Sequence, residues 1–164
     1  MILPITILLT LIAQSPPPTA SISEAQVAKQ APPVSLQLIN GKHFSLAEKQ
    51  GKVVFLAFWA TWCEPCRRDI PRLIEAQAEF KNLVVIGIST EPRADVADYL
   101  GQEHFDFPTA LDPGEKVSKA YGIDLIPRLF VIDQKGIITK MIRGLPSQAA
   151  IRRALEPLLP SAAK

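Results

Sequence analysis

Cysteine is scarce in this chain. Only Cys63 and Cys66 occur, so no disulfide framework beyond a single bridge can form within it. Histidine is as rare: His43 and His104 lie far apart and outside any ligand spacing, which leaves a zinc site at the cysteines without its second pair of ligands. Arg67, directly after the second cysteine, stands where covalent haem attachment needs a histidine. Neither sign of charge dominates. The 18 Lys and Arg stand against 16 Asp and Glu, a formal charge of +2, with the basic residues scattered among acids. That excludes the basic stripe of a nucleic-acid binder and leaves a protein or small thiols as partners. A phosphate-cradling glycine loop and an internal repeat are also missing.

What is there is a pair of thiols separated by two residues, Cys63-Glu64-Pro65-Cys66. A bridge placed for stability closes a long loop, because loop entropy is what it removes from the unfolded chain; this one closes a very short loop. The spacing therefore points to redox chemistry. A cysteine attacks as its thiolate, and a helix N-terminus supplies unpaired N–H groups and a dipole that favour negative charge. Cys63 at such a terminus is the expected nucleophile and Cys66, one turn further in, the resolving thiol. No cofactor beyond this dithiol is expected.

The domain organisation has three parts. Residues 1–13, MILPITILLTLIA, form an uncharged apolar run shorter than the ~20 residues of a membrane-crossing helix. It reads as a signal peptide, an uncleaved anchor or a buried segment; a lipid-bearing cysteine is absent from it. Residues 14–33 are rich in Pro, Ser, Thr and Ala and read as a linker, either a stalk or a tail without a duty. The folded domain is expected from Val34 to residue 160.

Within it, Val34 to Ile39 and Lys42 to Leu46 read as a hairpin across Asn40-Gly41. Lys52 to Trp59 and Leu83 to Ser89 are apolar runs of strand length, expected as buried central strands. Glu64 to Phe80 reads as a helix with Pro71 inside it, and Arg93 to Glu103 as another. A short strand at Phe107 to Leu111 and a helix around Glu115 to Tyr121 follow. Leu129 to Asp133 and Ile137 to Arg143 read as a second hairpin before a last helix capped by Ser147. The order predicts an α/β fold: a mixed central sheet with helices on both faces, an N-terminal hairpin and a central insertion.

The run Phe58-Trp59-Ala60-Thr61-Trp62-Cys63-Glu64-Pro65-Cys66 resembles the active-site strand and turn of TlpA/ResA-like oxidoreductases of the thioredoxin superfamily. The resemblance spans about Ala31 to Leu159 and includes Pro71 and the distant Ile126-Pro127 before Phe130-Val131-Ile132-Asp133. It implies a thioredoxin-like fold, a cis bond before Pro127, and pairing of the Ile126 backbone with an extended client. Trp59 would pack behind the site and Trp62 would shape the surface that partners meet. Arg128 replaces the usual Thr after the proline, either as a positive charge near Cys63 or as a solvated surface residue. Thioredoxins proper carry a buried Asp where this chain has Ala57, and the resemblance puts Glu91 in reach of the cysteines as a proton relay; the alternative is a glutamate favoured by a helix dipole.

The activity so implied is extracytoplasmic disulfide reduction in exported clients, for example in cytochrome c maturation, by a monomer fed by a membrane thiol donor and either secreted or tethered through its N-terminus. Two rivals remain: a disulfide-forming oxidant, which differs only in potential, and an adaptor or metal chaperone with idle thiols. A peroxidase is disfavoured, since Thr61 stands two residues before Cys63 where the peroxide-reducing motif needs three.

Overall fold

The computed structural model describes residues 26–144 and 146–159. The expected export segment and residues 14–25 of the expected linker lie outside the described residues. The chain runs β1 (Ser35–Leu38), β2 (His43–Ser45), a 3-10 helix (Leu46–Lys49), β3 (Val53–Phe58), α1 (Glu64–Glu79), β4 (Leu83–Ser89), α2 (Arg93–Gln102), β5 (Thr109–Leu111), α3 (Lys116–Ala120), β6 (Arg128–Ile132), β7 (Ile138–Arg143) and α4 (Gln148–Leu155). The strands make one seven-stranded sheet in the order β2-β1-β5-β4-β3-β6-β7.

Every residue of β3 is buried, as its unbroken apolar sequence requires of a central strand covered on both faces. It pairs parallel with β4 and antiparallel with β6. Its alternating side chains divide the core. Val53, Phe55 and Ala57 face α1, α2 and α4, where Ile70, Leu73, Val96 and Leu155 pack. Val54, Leu56 and Phe58 face the opposite layer, built from Val117 of α3, Tyr121, Phe44 and Val34. The buried residues Cys66, Ile70 and Leu73 recur along α1 at the spacing of one helical face, so the face that holds the second cysteine is also the face that enters the core.

This pairing places the functional elements at one end. Because β6 runs against β3, Phe58 at the end of β3 lies opposite Arg128 at the start of β6. The segments just beyond, Ala60 to Cys63 and Ile126-Pro127, therefore share the C-terminal edge of the parallel strands.

Two details differ from expectation. At the first hairpin only Gly41 takes a positive φ, of 83°, while Asn40 closes the turn by accepting the Lys42 amide on its side chain at 3.0 Å. More substantially, the domain begins earlier than Val34. Residues 26–33, expected within the linker, form a strap: Ala28 N–H donates to Ile138 at 2.7 Å, Ala31 N–H to Gly136 at 2.9 Å, and Ile138 N–H to Lys29 at 2.9 Å. Ala31 is buried, and the Tyr121 hydroxyl donates to the Pro32 carbonyl at 2.8 Å. Proline content argues against a packed core, not against a strand-like strap on an existing sheet edge.

Candidate active site

Cys63 is the N-cap of α1, and its side chain accepts the Cys66 amide at 3.3 Å. Pro65 falls in the first turn, where backbone amides have no intrahelical partner and a missing N–H costs nothing. The two sulfurs are joined by a disulfide, so the structure is the oxidised form. Cys63 is 5% exposed and Cys66 1%, which makes Cys63 the sulfur a partner meets first. The bond between Ile126 and Pro127 is cis. Among the described residues, no hydrogen bond of the domain uses the Ile126 amide or carbonyl.

Trp59 is buried against Tyr99 and Phe107, with ring centroids 5.8 and 6.0 Å away. Its close seat is possible because position 87 is glycine: a Cβ there would come within 2.6 Å of Trp59 Nε1. Trp62, by contrast, is 73% exposed.

Glu91 is placed differently from a relay beside the sulfurs. Its oxygens accept from the Thr61 amide at 2.7 Å, the Thr61 hydroxyl at 2.6 Å and the Ser89 hydroxyl at 3.1 Å. It braces the loop that carries Trp62 and Cys63, and it makes no hydrogen bond to either cysteine among the described residues. Nor is it a helix-dipole glutamate, since α2 starts at Arg93 after Pro92 as its N-cap.

Arg128 is 3% exposed, hence not the solvated surface residue that was one of its two expected roles, and its guanidinium is paired with Asp124. It lines a cavity that Cys66 also lines. The bond to Arg128 in turn holds the Asp124 carboxyl below its usual range. The pair brackets Leu125, Ile126 and Pro127.

The acid that does stand beside the dithiol is Asp69, which sequence reasoning missed. It lies three residues after Cys66 on the buried face of α1, is 6% exposed, and has an oxygen without a hydrogen-bond partner among the described residues. Asp69, Cys66, Ala57 and Pro127 line one cavity of about 20 Å³, the size that admits a water molecule. Burial pushes the Asp69 carboxyl up to about 7, against the pull of Arg72 and Arg68. Ala57 and Asp69 thus address the same space from opposite walls, strand and helix. The available signal was the spacing: Asp69 falls within the apolar stripe set by Cys66, Ile70 and Leu73.

A dithiol at a helix N-cap, at the end of a buried strand and beside a cis-proline, on a mixed sheet with helices on both faces, defines a protein of the thioredoxin-like fold built for disulfide exchange. Residues 27–141 match the AhpC/TSA family. The chain belongs to that family, and it is similar to several thiol-disulfide oxidoreductases named ResA. It is 32% identical over 138 residues to thiol-disulfide oxidoreductase ResA of Geobacillus thermodenitrificans, covering 82% of this chain and 79% of that one. With the ResA of Bacillus subtilis it shares 31% over 144 residues, 85% of this chain and 78% of the relative. Among solved structures it is similar to a thiol:disulfide interchange protein of the thioredoxin family from Chlorobium tepidum, with a TM-score of 0.71 and 31% identity over 79% of this chain and 94% of that one.

Proposed function

We propose that this thiol-disulfide oxidoreductase acts outside the cytoplasm and reduces disulfides in exported client proteins, apocytochrome c being the client class its ResA resemblance suggests. The observation that carries the reading is the dithiol at the start of α1, with Cys63 as N-cap and Cys66 lining one cavity with the cis-proline Pro127. The uncharged apolar run at residues 1–13 supports export or a tether. No helix among the described residues is long and apolar enough to cross a membrane.

The reaction starts from the reduced dithiol. Cys63 thiolate, favoured by the amides at the start of α1, attacks one sulfur of the client disulfide; the other client sulfur leaves as a thiolate and takes a proton. The client lies extended along Ile126 in the mixed disulfide. The Asp69 carboxylate then accepts the proton of Cys66, whose sulfur attacks Cys63 Sγ and releases the second client thiolate, which is protonated in turn. Two electrons and two protons pass to the client, and the Cys63–Cys66 bond seen here is the product. A carboxyl titrating near 7 offers both its forms at neutral pH, as an acid-base group must. A membrane thiol donor returns the two electrons.

The test is to trap the intermediate. With Cys66→Ser the second attack is impossible, and mixed disulfides between Cys63 and client proteins should accumulate in the native compartment and disappear on adding reductant. A preparation without trapped clients would overturn the reading. Equilibration with glutathione reports the direction: a strongly oxidising potential would instead make the protein a disulfide donor.

A further inference from the structure

The turn between the two cysteines carries a charge that opposes its own chemistry. Glu64, directly after Cys63, is exposed at the first position of α1. A carboxylate there is favoured by the helix N-terminus, but the same field is what stabilises the Cys63 thiolate. Two negative charges on neighbouring residues repel, so a Glu64 left to itself disfavours the nucleophile.

Arg67 is the group that answers it. Its guanidinium lies 3.6 Å from the Glu64 carboxylate, one turn along α1. An exposed pair of this length ordinarily holds neither side chain in place, because ordering two long side chains offsets the attraction. Here the arginine is already ordered from another helix. Its Nε donates to the Tyr99 hydroxyl at 3.2 Å, its guanidinium carbon stands 5.0 Å from the centre of the Tyr99 ring, and one terminal nitrogen donates to Glu103 at 3.4 Å. Tyr99 in turn packs on the buried Trp59, ring centroids 5.8 Å apart, and on Phe105 at 6.5 Å. Only a planar fork of donors can serve these partners at once. A chain of contacts thus runs from the core beneath the site, through α2, to the carboxylate beside Cys63.

The other charges around the dithiol have partners or duties of their own. Asp69 and Arg128 line the cavity with Cys66, Arg128 is paired with Asp124, and Arg72 and Arg68 act on Asp69. Glu91 accepts from Thr61 and Ser89. We propose that Arg67, fixed by Tyr99 and Glu103 of α2, is a positioning residue for disulfide exchange: it holds the Glu64 carboxylate toward α2, off the Cys63 sulfur, and so favours the Cys63 thiolate. That thiolate is the nucleophile when the protein reduces a disulfide and the leaving group when it donates one, so the inference holds for either direction and any client.

The test uses the full-length reduced protein and reads two quantities: the pKa of Cys63, from the pH dependence of its alkylation by iodoacetamide, and the equilibrium constant with glutathione. In Arg67→Gln the pKa should rise by about half a unit, the effect of one exposed charge acting through water over a few ångströms. A weaker thiolate destabilises the reduced form, so the glutathione equilibrium should move toward the oxidised protein by up to about threefold. Tyr99→Phe keeps the ring and the arginine's charge and removes only the anchoring hydroxyl; it should reproduce part of the rise. Glu64→Gln should lower the pKa slightly in the parent and by clearly more in the Arg67→Gln background, because only there is the carboxylate loose. Urea unfolding accompanies each titration, since an arginine that merely tied α1 to α2 would lower the midpoint and leave the pKa of Cys63 unmoved. That result, an unshifted Tyr99→Phe, or a Glu64→Gln shift of equal size in both backgrounds would overturn the inference. Failure of the unaltered protein to exchange with glutathione at all would strike the exchange itself, whereas exchange without these shifts strikes only the role of Arg67.

Discussion

Asp69 carries its charge at a cost, because it is enclosed by core side chains and its ion pair with Arg72 is long, at 3.9 Å. With a folded value of about 7 against an ordinary 3.8, the native state keeps the proton that the unfolded chain gives up. Stability therefore falls as pH rises from about 4 to about 7, and the penalty is then fully present. Asp69→Asn should remove it: denaturant unfolding at pH 8 should show the variant more stable, by up to roughly 4 kcal/mol, with little difference at pH 4. The same variant should slow release of the client from the mixed disulfide and flatten the inflection near pH 7 in that step's rate, measured by stopped flow. A purely structural Asp69 would change the stability profile and leave the rate profile intact. The cysteine pair was legible in the sequence because its spacing is a local pattern, whereas the cis bond before Pro127 followed only from the family resemblance. Asp69 was not legible, since the acid missing from the strand at Ala57 was sought at Glu91, after β4, and the helix brought an equivalent from the other wall.

Most elements were legible for a comparable reason: β3 and β4 are continuous apolar runs and α1 repeats its apolar residues at helical spacing, so propensity and burial agree. The 3-10 helix at Leu46–Lys49 is too short to show any period, and the strap at residues 26–33 hid behind its prolines. Gly87 shows what an element hides from sequence altogether. It reads as a defect in a buried strand, yet it opens the seat of Trp59, with Phe107 also 2.6 Å from where a Cβ would stand. Gly87→Ala should cost about 1–3 kcal/mol in urea unfolding, the usual penalty for overpacking, and should shift the emission of Trp59 as the indole moves. Retention of both stability and emission would mean that β4 yields instead of Trp59.

For the molecule as a whole, the strap decides where the folded unit begins. A chain starting at Val34 loses the three backbone hydrogen bonds to Gly136 and Ile138 and the cover over Tyr121, and uncovers the edge of β7. Against a chain starting at Gln26 it should be less stable by roughly 1–3 kcal/mol in urea, and it should self-associate through the bared edge, visible as a larger species on size-exclusion chromatography. The bracket of Arg128 and Asp124 has the opposite character. Its stabilising contacts lie at its two ends, while Leu125 between them projects into solvent and gives little to the core. Residue 125 is thus free to drift over generations without endangering the fold, at a position that selection for stability does not see.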